Sequence, residues 1–494
     1  MMGSLISREG IAVADDEPRR IVIIGGGISG LAAAERLTSL DPTLEIHLFE
    51  ASDKLGGVLQ TEHVAGYRLE LGPDSILSRL PWGVELCQRV GLAEDLIGTN
   101  TAQSGVDVVC RGRLERIPAG IAIMAPQRLW PVVTSPILSW SGKARLAAEY
   151  FVPRRQSSDD ESLAGFVRRR LGSEALERLV QPLAGGIYMG DPEALSIQAG
   201  FPQFVEMERK YGSLIKAARA SKSEGQSTSG GPQYTMFVAP RKGMGQFVSA
   251  ISERLVGCHV HLERQVEQII CEASGVWRVE HTDRGSGNRL ALACQGVIVA
   301  LPANRAAPVL ASVDQKLGKL LAEIPYAGCV AVNMAFERQA VPHALDGFGF
   351  VAPHVERRSV LACTYSSVKY AGRAPDGKVL MRAFLGGACF PEVLEWPDEK
   401  ILSAVSEDLR SLLNVRAEPL FTRIARWPET MPQYLVGHLQ KVDRIEQLVG
   451  TIDGLEVAGN AYRGVGIPHC IRSGQQASER LVAVLYSRSP QSVR

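Results

Sequence analysis

Arg20-Ile21-Val22-Ile23-Ile24-Gly25-Gly26-Gly27-Ile28-Ser29-Gly30 is the stretch on which the fold turns. A β-branched run enters a glycine turn, and an Ala- and Leu-rich segment of helix length follows to Leu40, which reads as strand, turn and helix. A second apolar strand over residues 45–49 ends at Glu50 and closes a βαβ unit. Glu50 falls at the distance past the glycines, about 20 residues, at which such units place an acidic residue. Each residue type then has a physical task. Gly25 allows the turn, Gly27 lets backbone approach a pyrophosphate, Gly30 lets the helix pack on the strand, and Ile28 and Ser29 open a helix whose unpaired N–H groups face phosphates. A carboxylate at position 50 would meet the adenosine ribose and repel a 2′-phosphate, so the pattern predicts a dinucleotide, FAD or NAD, and disfavours NADP.

Outward from that unit, the composition sets bounds. The chain has 494 residues. Domains of roughly 150 residues each would make about three compact units. The composition, 45% hydrophobic and 22% charged, excludes a disordered chain. Lys plus Arg number 54 against 53 for Asp plus Glu, so no net field draws the chain to nucleic acid. Nine cysteines stand singly, without a C-x-x-C pair, which suits a reducing, cytoplasmic setting and suggests neither zinc nor disulfides. The nine histidines lack H-x-x-x-H or H-E-x-x-H spacing, so no metal is expected. Residues 1–19 carry charges and no apolar core of a signal peptide, and read as a loose tail.

Glu50-Ala51-Ser52-Asp53-Lys54-Leu55-Gly56-Gly57 resembles the second FAD motif of amine-oxidase-type flavoproteins, which implies FAD as cofactor. Lys54, Gly56 and Gly57 match, whereas Val58 stands where a further basic residue is common. Residues 260–302 resemble a second pass through the FAD domain, which implies Val266 beside the adenine and Ala300 at a strand end beside the cofactor. Residues 454–485 resemble a third pass, with Gly459, Asn460, Val465, Gly466 and Ile467 at the flavin or its phosphates.

Further segments resemble the FAD-dependent porphyrinogen oxidases over residues 20–485. They include Leu69-Glu70-Leu71-Gly72-Pro73-Asp74-Ser75, Pro182-Leu183-Ala184-Gly185-Gly186-Ile187-Tyr188, Gly347-Phe348-Gly349-Phe350-Val351, Phe384-Leu385-Gly386-Gly387, Trp427-Pro428 and Met431-Pro432-Gln433-Tyr434. The resemblance implies six-electron oxidation of protoporphyrinogen IX or coproporphyrinogen III to the porphyrin, with molecular oxygen as acceptor and hydrogen peroxide released, in heme biosynthesis. It places Gly186, Phe348, Val351 and Phe384 at the macrocycle and Gly72, Pro73, Asp74, Ser75 and Trp427 at the cofactor. No residue is assigned as catalytic acid or base. Val106 stands where some relatives carry a propionate-binding arginine, which leaves Arg111, Arg113 and Arg116 as candidates. The alternatives are a flavin amine oxidase, a carotenoid desaturase-like enzyme or a non-catalytic porphyrin-binding flavoprotein.

The expected fold is α/β, α+β overall. A doubly wound FAD-binding domain would draw on residues 20–90, 235–310 and 420–490, a helical subdomain on 91–205, and a mixed-sheet substrate domain on 206–234 and 311–419. Residues 221–233 read as a flexible insert. Residues 117–140 carry one charge, Arg128, and read either as a buried wall or as a patch for peripheral membrane contact. A monomer or homodimer is expected.

Overall fold

The structure, a computed structural model, describes residues 19–118, 121–122, 125–126, 130–223 and 235–487. Apart from Arg19, the expected tail lies outside them, as does most of the expected insert. Arg20–Ile24 is the middle strand of a five-stranded parallel sheet, in the spatial order Cys258–His261, Glu45–Phe49, Arg20–Ile24, Gly296–Val299, Leu455–Val457. Its β-branched run is buried on both faces, as parallel strands require. Ile21 and Ile23 pack among the helices Ile28–Leu40, Met244–Arg254 and Ile467–Ser487. Val22 and Ile24 face a three-stranded sheet over residues 264–294 and the helices Ala303–Ala311, Gln315–Ala322 and His438–Val449.

Close approach of backbones explains two glycines here. A Cβ on Gly30 would lie 1.9 Å from the Gly25 carbonyl, and one on Gly474 would lie 2.1 Å from the Ser29 carbonyl. Ser478 Oγ donates to the Ala33 carbonyl at 2.9 Å. The contacts advance together along both helices, so Ile28–Leu40 and Ile467–Ser487 run parallel and present their N-termini, the positive ends of their dipoles, on the same side.

The second layer is a seven-stranded mixed sheet, in the order Phe421–Pro432, Tyr326–Glu337, Lys378–Gly386, Ala362–Thr364, Gly349–Val351, Asp107–Cys110, Arg113–Arg116. Its strands cross the boundaries expected from sequence. Asp107–Cys110 and Arg113–Arg116 fall within the span expected to be helical, and Phe421–Pro432 within the span expected in the FAD domain. The helices Pro202–Tyr211 and Leu214–Ser223, partly expected with the substrate sheet, bury Phe204, Leu214 and Ala218 in the helical cluster instead. The reasons are tertiary. Val108 enters the helical cluster while Val109 enters the sheet's own core, and Glu149 accepts from Leu214 N at 2.9 Å and Ser213 Oγ at 2.6 Å.

Within 117–140, Val132, Ile137 and Leu138 are buried in the helical cluster, whereas Trp140 is 75% exposed with the Lys143 ammonium 4.4 Å from its ring. Arg128 lies outside the described residues. No helix among the described residues is long and apolar enough to cross a membrane.

Candidate cofactor cradle and substrate pocket

The glycine turn is built for backbone. Gly25 has φ +107°, and a Cβ there would sit 2.7 Å from the Ala300 carbonyl, which brings the second pass of the chain against the first. Gly27 caps the helix Ile28–Leu40 without a side-chain hydrogen bond, and its Cβ position faces open space. Gly27 also bridges Gly56, Gly56 N donates to the Gly26 carbonyl at 2.8 Å, and a Cβ on Gly57 would lie 3.4 Å from Gly27 Cα. The two glycine motifs therefore face each other at a helix N-terminus, the arrangement that admits a pyrophosphate. Glu50 closes the turn: its two carboxylate oxygens accept from Gly26 N and Ser52 N, each at 2.8 Å. Ala51 is partly buried, Lys54 is exposed and Val266 is buried with Phe49 in the core behind the strand.

The third pass completes this side. Gly459 N donates to Ser473 Oγ at 3.1 Å, and Asn460 Nδ2 donates to the Thr430 carbonyl at 3.3 Å. The Tyr434 hydroxyl donates to the Asn460 carbonyl at 2.6 Å and accepts from Gly464 N at 2.9 Å. Val465, Gly466 and Ile467 thus enter the second of the two parallel helices. Open space beside Gly27, two helix N-termini on one side and facing glycines fit FAD.

From this cradle the chain steps toward the second sheet. A Cβ on Gly72 would meet the Val58 carbonyl at 2.0 Å, so the turn Gly72-Pro73-Asp74-Ser75 lies directly on the end of the second motif. Trp427 Nε1 holds that turn by donating to the Leu71 carbonyl at 2.6 Å. Asp74, expected at the cofactor, places its carboxylate against the seven-stranded layer. Its oxygens accept from Lys369 Nζ at 2.9 and 3.1 Å and lie 2.9 Å from Arg382 Nη2, and Ser75 Oγ adds a bond of 2.7 Å. Burial by itself would raise the Asp74 carboxyl, but Lys369 and Arg382 outweigh it and hold the group well below the usual carboxylate range. Arg382, 3% exposed, also donates to the Gly72 carbonyl at 2.7 Å and lies 4.8 Å from the Phe384 ring centre. Two cations share one carboxylate, leaving an excess of positive charge.

Gly186, Phe348, Val351 and Phe384, predicted at the macrocycle, line one open pocket together with Val106, Met189, Phe237, Leu361 and Lys369. Among the described residues, no atom lies within 4 Å of the Gly186 Cβ position, which leaves backbone bare. Among the described residues lining the pocket, Lys369 is the one cation. Arg111, Arg113 and Arg116 do not line it, and Arg116 is paired with Asp107 at 2.7 Å and Asp346 at 3.0 Å. Sequence reasoning missed Lys369 because its partner, Asp74, lies almost three hundred residues earlier, and a lysine in a short helix carries no signal of its own. Cys363, the other titratable group of the lining, has its thiol pushed up to about 12 by burial and stays protonated at neutral pH.

A glycine cradle for a dinucleotide, joined through a charged turn to an apolar pocket on a mixed sheet, defines a two-layer flavin-dependent oxidoreductase with FAD as cofactor. The chain belongs to the flavin containing amine oxidoreductase family, whose model matches residues 28–482. It is similar to the coproporphyrinogen III oxidase of Bacillus subtilis (strain 168), with 34% identity over 96% of this chain and the whole of the relative. The chloroplastic protoporphyrinogen oxidase of Nicotiana tabacum is 29% identical over 94% of this chain and 85% of its own length. Among solved structures, a chain from Exiguobacterium sp. 255-15, provisionally described as a protoporphyrinogen oxidase, superposes with a TM-score of 0.82 and 30% identity, covering 94% of this chain and 98% of that one.

Proposed function

We propose that this chain oxidises a porphyrinogen to the porphyrin in heme biosynthesis, and that its substrate is coproporphyrinogen III. The observation that carries this reading is the convergence of Gly186, Phe348, Val351 and Phe384 on one apolar pocket beside the turn that leaves the FAD cradle. The choice of coproporphyrinogen III over protoporphyrinogen IX is supported by the full-length match to the Bacillus relative and by the excess positive charge around Lys369, which suits the more carboxylated substrate.

Bound FAD supplies the two-electron acceptor chemistry for three successive oxidations. The chain supplies position. Phe348, Val351 and Phe384 offer apolar walls to the macrocycle, the bare backbone at Gly186 admits pyrrole N–H groups, and Lys369 meets a propionate. Among the described residues, no acid or base lines the pocket beyond Lys369 and Cys363, so the pyrrole protons leave to water. Six electrons pass in all to three molecules of dioxygen, which become three of hydrogen peroxide. The largely exposed rings of Trp140 and Phe151 support peripheral contact of a cytoplasmic enzyme with a membrane surface.

The test is anaerobic mixing of the FAD-loaded protein with coproporphyrinogen III and, separately, protoporphyrinogen IX. Flavin bleaching, faster with coproporphyrinogen III, followed by porphyrin fluorescence and peroxide on admission of air, is expected. Faster bleaching by protoporphyrinogen IX overturns the substrate, and no bleaching by either overturns the activity.

A further inference from the structure

We propose that Glu45, His47 and His259 form a binding site for a divalent cation of the zinc class at the edge of the parallel sheet. The site is independent of the porphyrinogen reading. Its basis is strand geometry: side chains two residues apart share a face, and Glu45 and His47 stand on one strand while His259 and His261 stand on the next. The two strands pair in parallel with His47 opposite His259, and the rings of these two residues stack with centres 4.7 Å apart. One ligand atom from each of Glu45, His47 and His259 lies within 4.8 Å of the others. Ligands around tetrahedral zinc lie about 3.4 Å apart, and His259, exposed, can turn inward to close the difference.

The outer partners such a site needs are already in place. Arg20 holds both Glu45 oxygens, through Nε and Nη2, at 2.9 Å each. His47, whose side chain is 10% exposed, has its Nδ1 held 2.9 Å from His261 Nε2, while its Nε2, 2.8 Å from Glu45 Oε1, is the atom that an entering ion would take over from that hydrogen bond. Metal-binding imidazoles characteristically commit their second nitrogen to such a partner. When Nε2 turns its lone pair to the metal, the His47 proton resides on Nδ1 and is donated to His261 Nε2, while His261 carries its own proton on Nδ1. Both rings stay neutral, and no proton is left without a place. Two imidazoles and one carboxylate, with a position left for water, suit zinc or cobalt rather than calcium or magnesium. A bound ion would join the edge strand Cys258–His261 to Glu45–Phe49, two passes of the chain more than two hundred residues apart. The H-x-x-x-H spacing belongs to helices, whereas these three residues come from two paired strands.

The holoenzyme, treated with chelator and dialysed, is titrated with Co²⁺ and then Zn²⁺, following cobalt d–d absorption at wavelengths beyond the flavin bands, calorimetric stoichiometry and the melting temperature. One ion per chain, visible cobalt bands displaced by zinc, and a rise in melting temperature with zinc are expected. His259→Ala removes an exposed side chain and one of the three ligands, and is expected to weaken zinc binding by more than the roughly 10- to 100-fold that loss of an outer partner costs, abolishing the thermal shift while flavin content and the melting temperature in chelator stay unchanged. Glu45→Gln, which keeps the side-chain size, is expected to weaken binding as well. Absence of saturable binding in the parent, or affinity unaltered in His259→Ala, overturns the proposal.

Discussion

The cradle and the pocket solve opposite problems. Around Gly25, Gly27 and Gly30 the demand is for backbone: a Cβ on Gly30 would overlap the Gly25 carbonyl, and Gly27 keeps a helix N-terminus bare. Around Phe348, Val351 and Phe384 the demand is for apolar side-chain surface, which several residue types could provide, and among the described lining residues Lys369 alone adds charge. The cradle's two glycine motifs lie within residues 25–57, whereas the pocket gathers residues from Val106 to Phe384. A site that uses backbone tolerates almost no substitution and is written in a few adjacent positions. A site that uses surface is spread along the chain and tolerates more.

That contrast predicts a gradient of effects. Gly30→Ala has no room without parting strand from helix, at a cost above the roughly 3 kcal/mol of ordinary overpacking. FAD affinity is expected to fall at least about 100-fold, read from FAD per chain after gel filtration and from fluorescence titration of the apoprotein. Stoichiometric FAD in the variant would remove the claim that the cradle is the less tolerant region.

Asp74→Asn tests the joint between the two regions, since it strands Lys369 and Arg382 without their shared anion. A loss of about 3 kcal/mol in unfolding free energy at neutral pH is expected, measured by denaturant titration. In the parent, the Asp74 carboxyl sits below its ordinary value, which for an unfolded chain is about 3.9. Its contribution is therefore complete above about pH 4 and is lost as the pH falls further toward the depressed folded value. The variant should lack that part of the acid limb; an acid limb identical to the parent's would show that the joint carries no such energy.

Lys369→Met should have the smallest effect, because Arg382 still neutralises Asp74. KM for coproporphyrinogen III is expected to rise about tenfold, a difference of about 1.4 kcal/mol, with kcat and FAD content retained. A fall in kcat at constant KM would assign Lys369 to the chemistry rather than to binding.

Much of the cradle was legible from the chain because φ +107° at Gly25 and the close approach at Gly30 leave glycine as the residue that fits. The Phe348, Val351 and Phe384 positions were reached through family resemblance, since an aromatic or aliphatic strand residue reads equally as core. Lys369 was not legible, and Asp74 was read for its neighbourhood with the glycines rather than for its ion pairs. The limits of the layers are hard to read from sequence where one strand serves two cores: Val108 and Val109 look alike in sequence, yet they face different clusters.

By itself, then, the sequence determined the strand, turn and helix of the dinucleotide unit, the position of Glu50 and the glycines of the second motif, because local backbone geometry and sterics act between near neighbours. Only the tertiary structure decided that Asp107–Cys110 joins the seven-stranded sheet, that Asp74 reaches Lys369 and Arg382, and that His47 stands opposite His259. Those outcomes depend on strand register and on burial of charge between distant segments, and neither quantity is a property of any short stretch of chain.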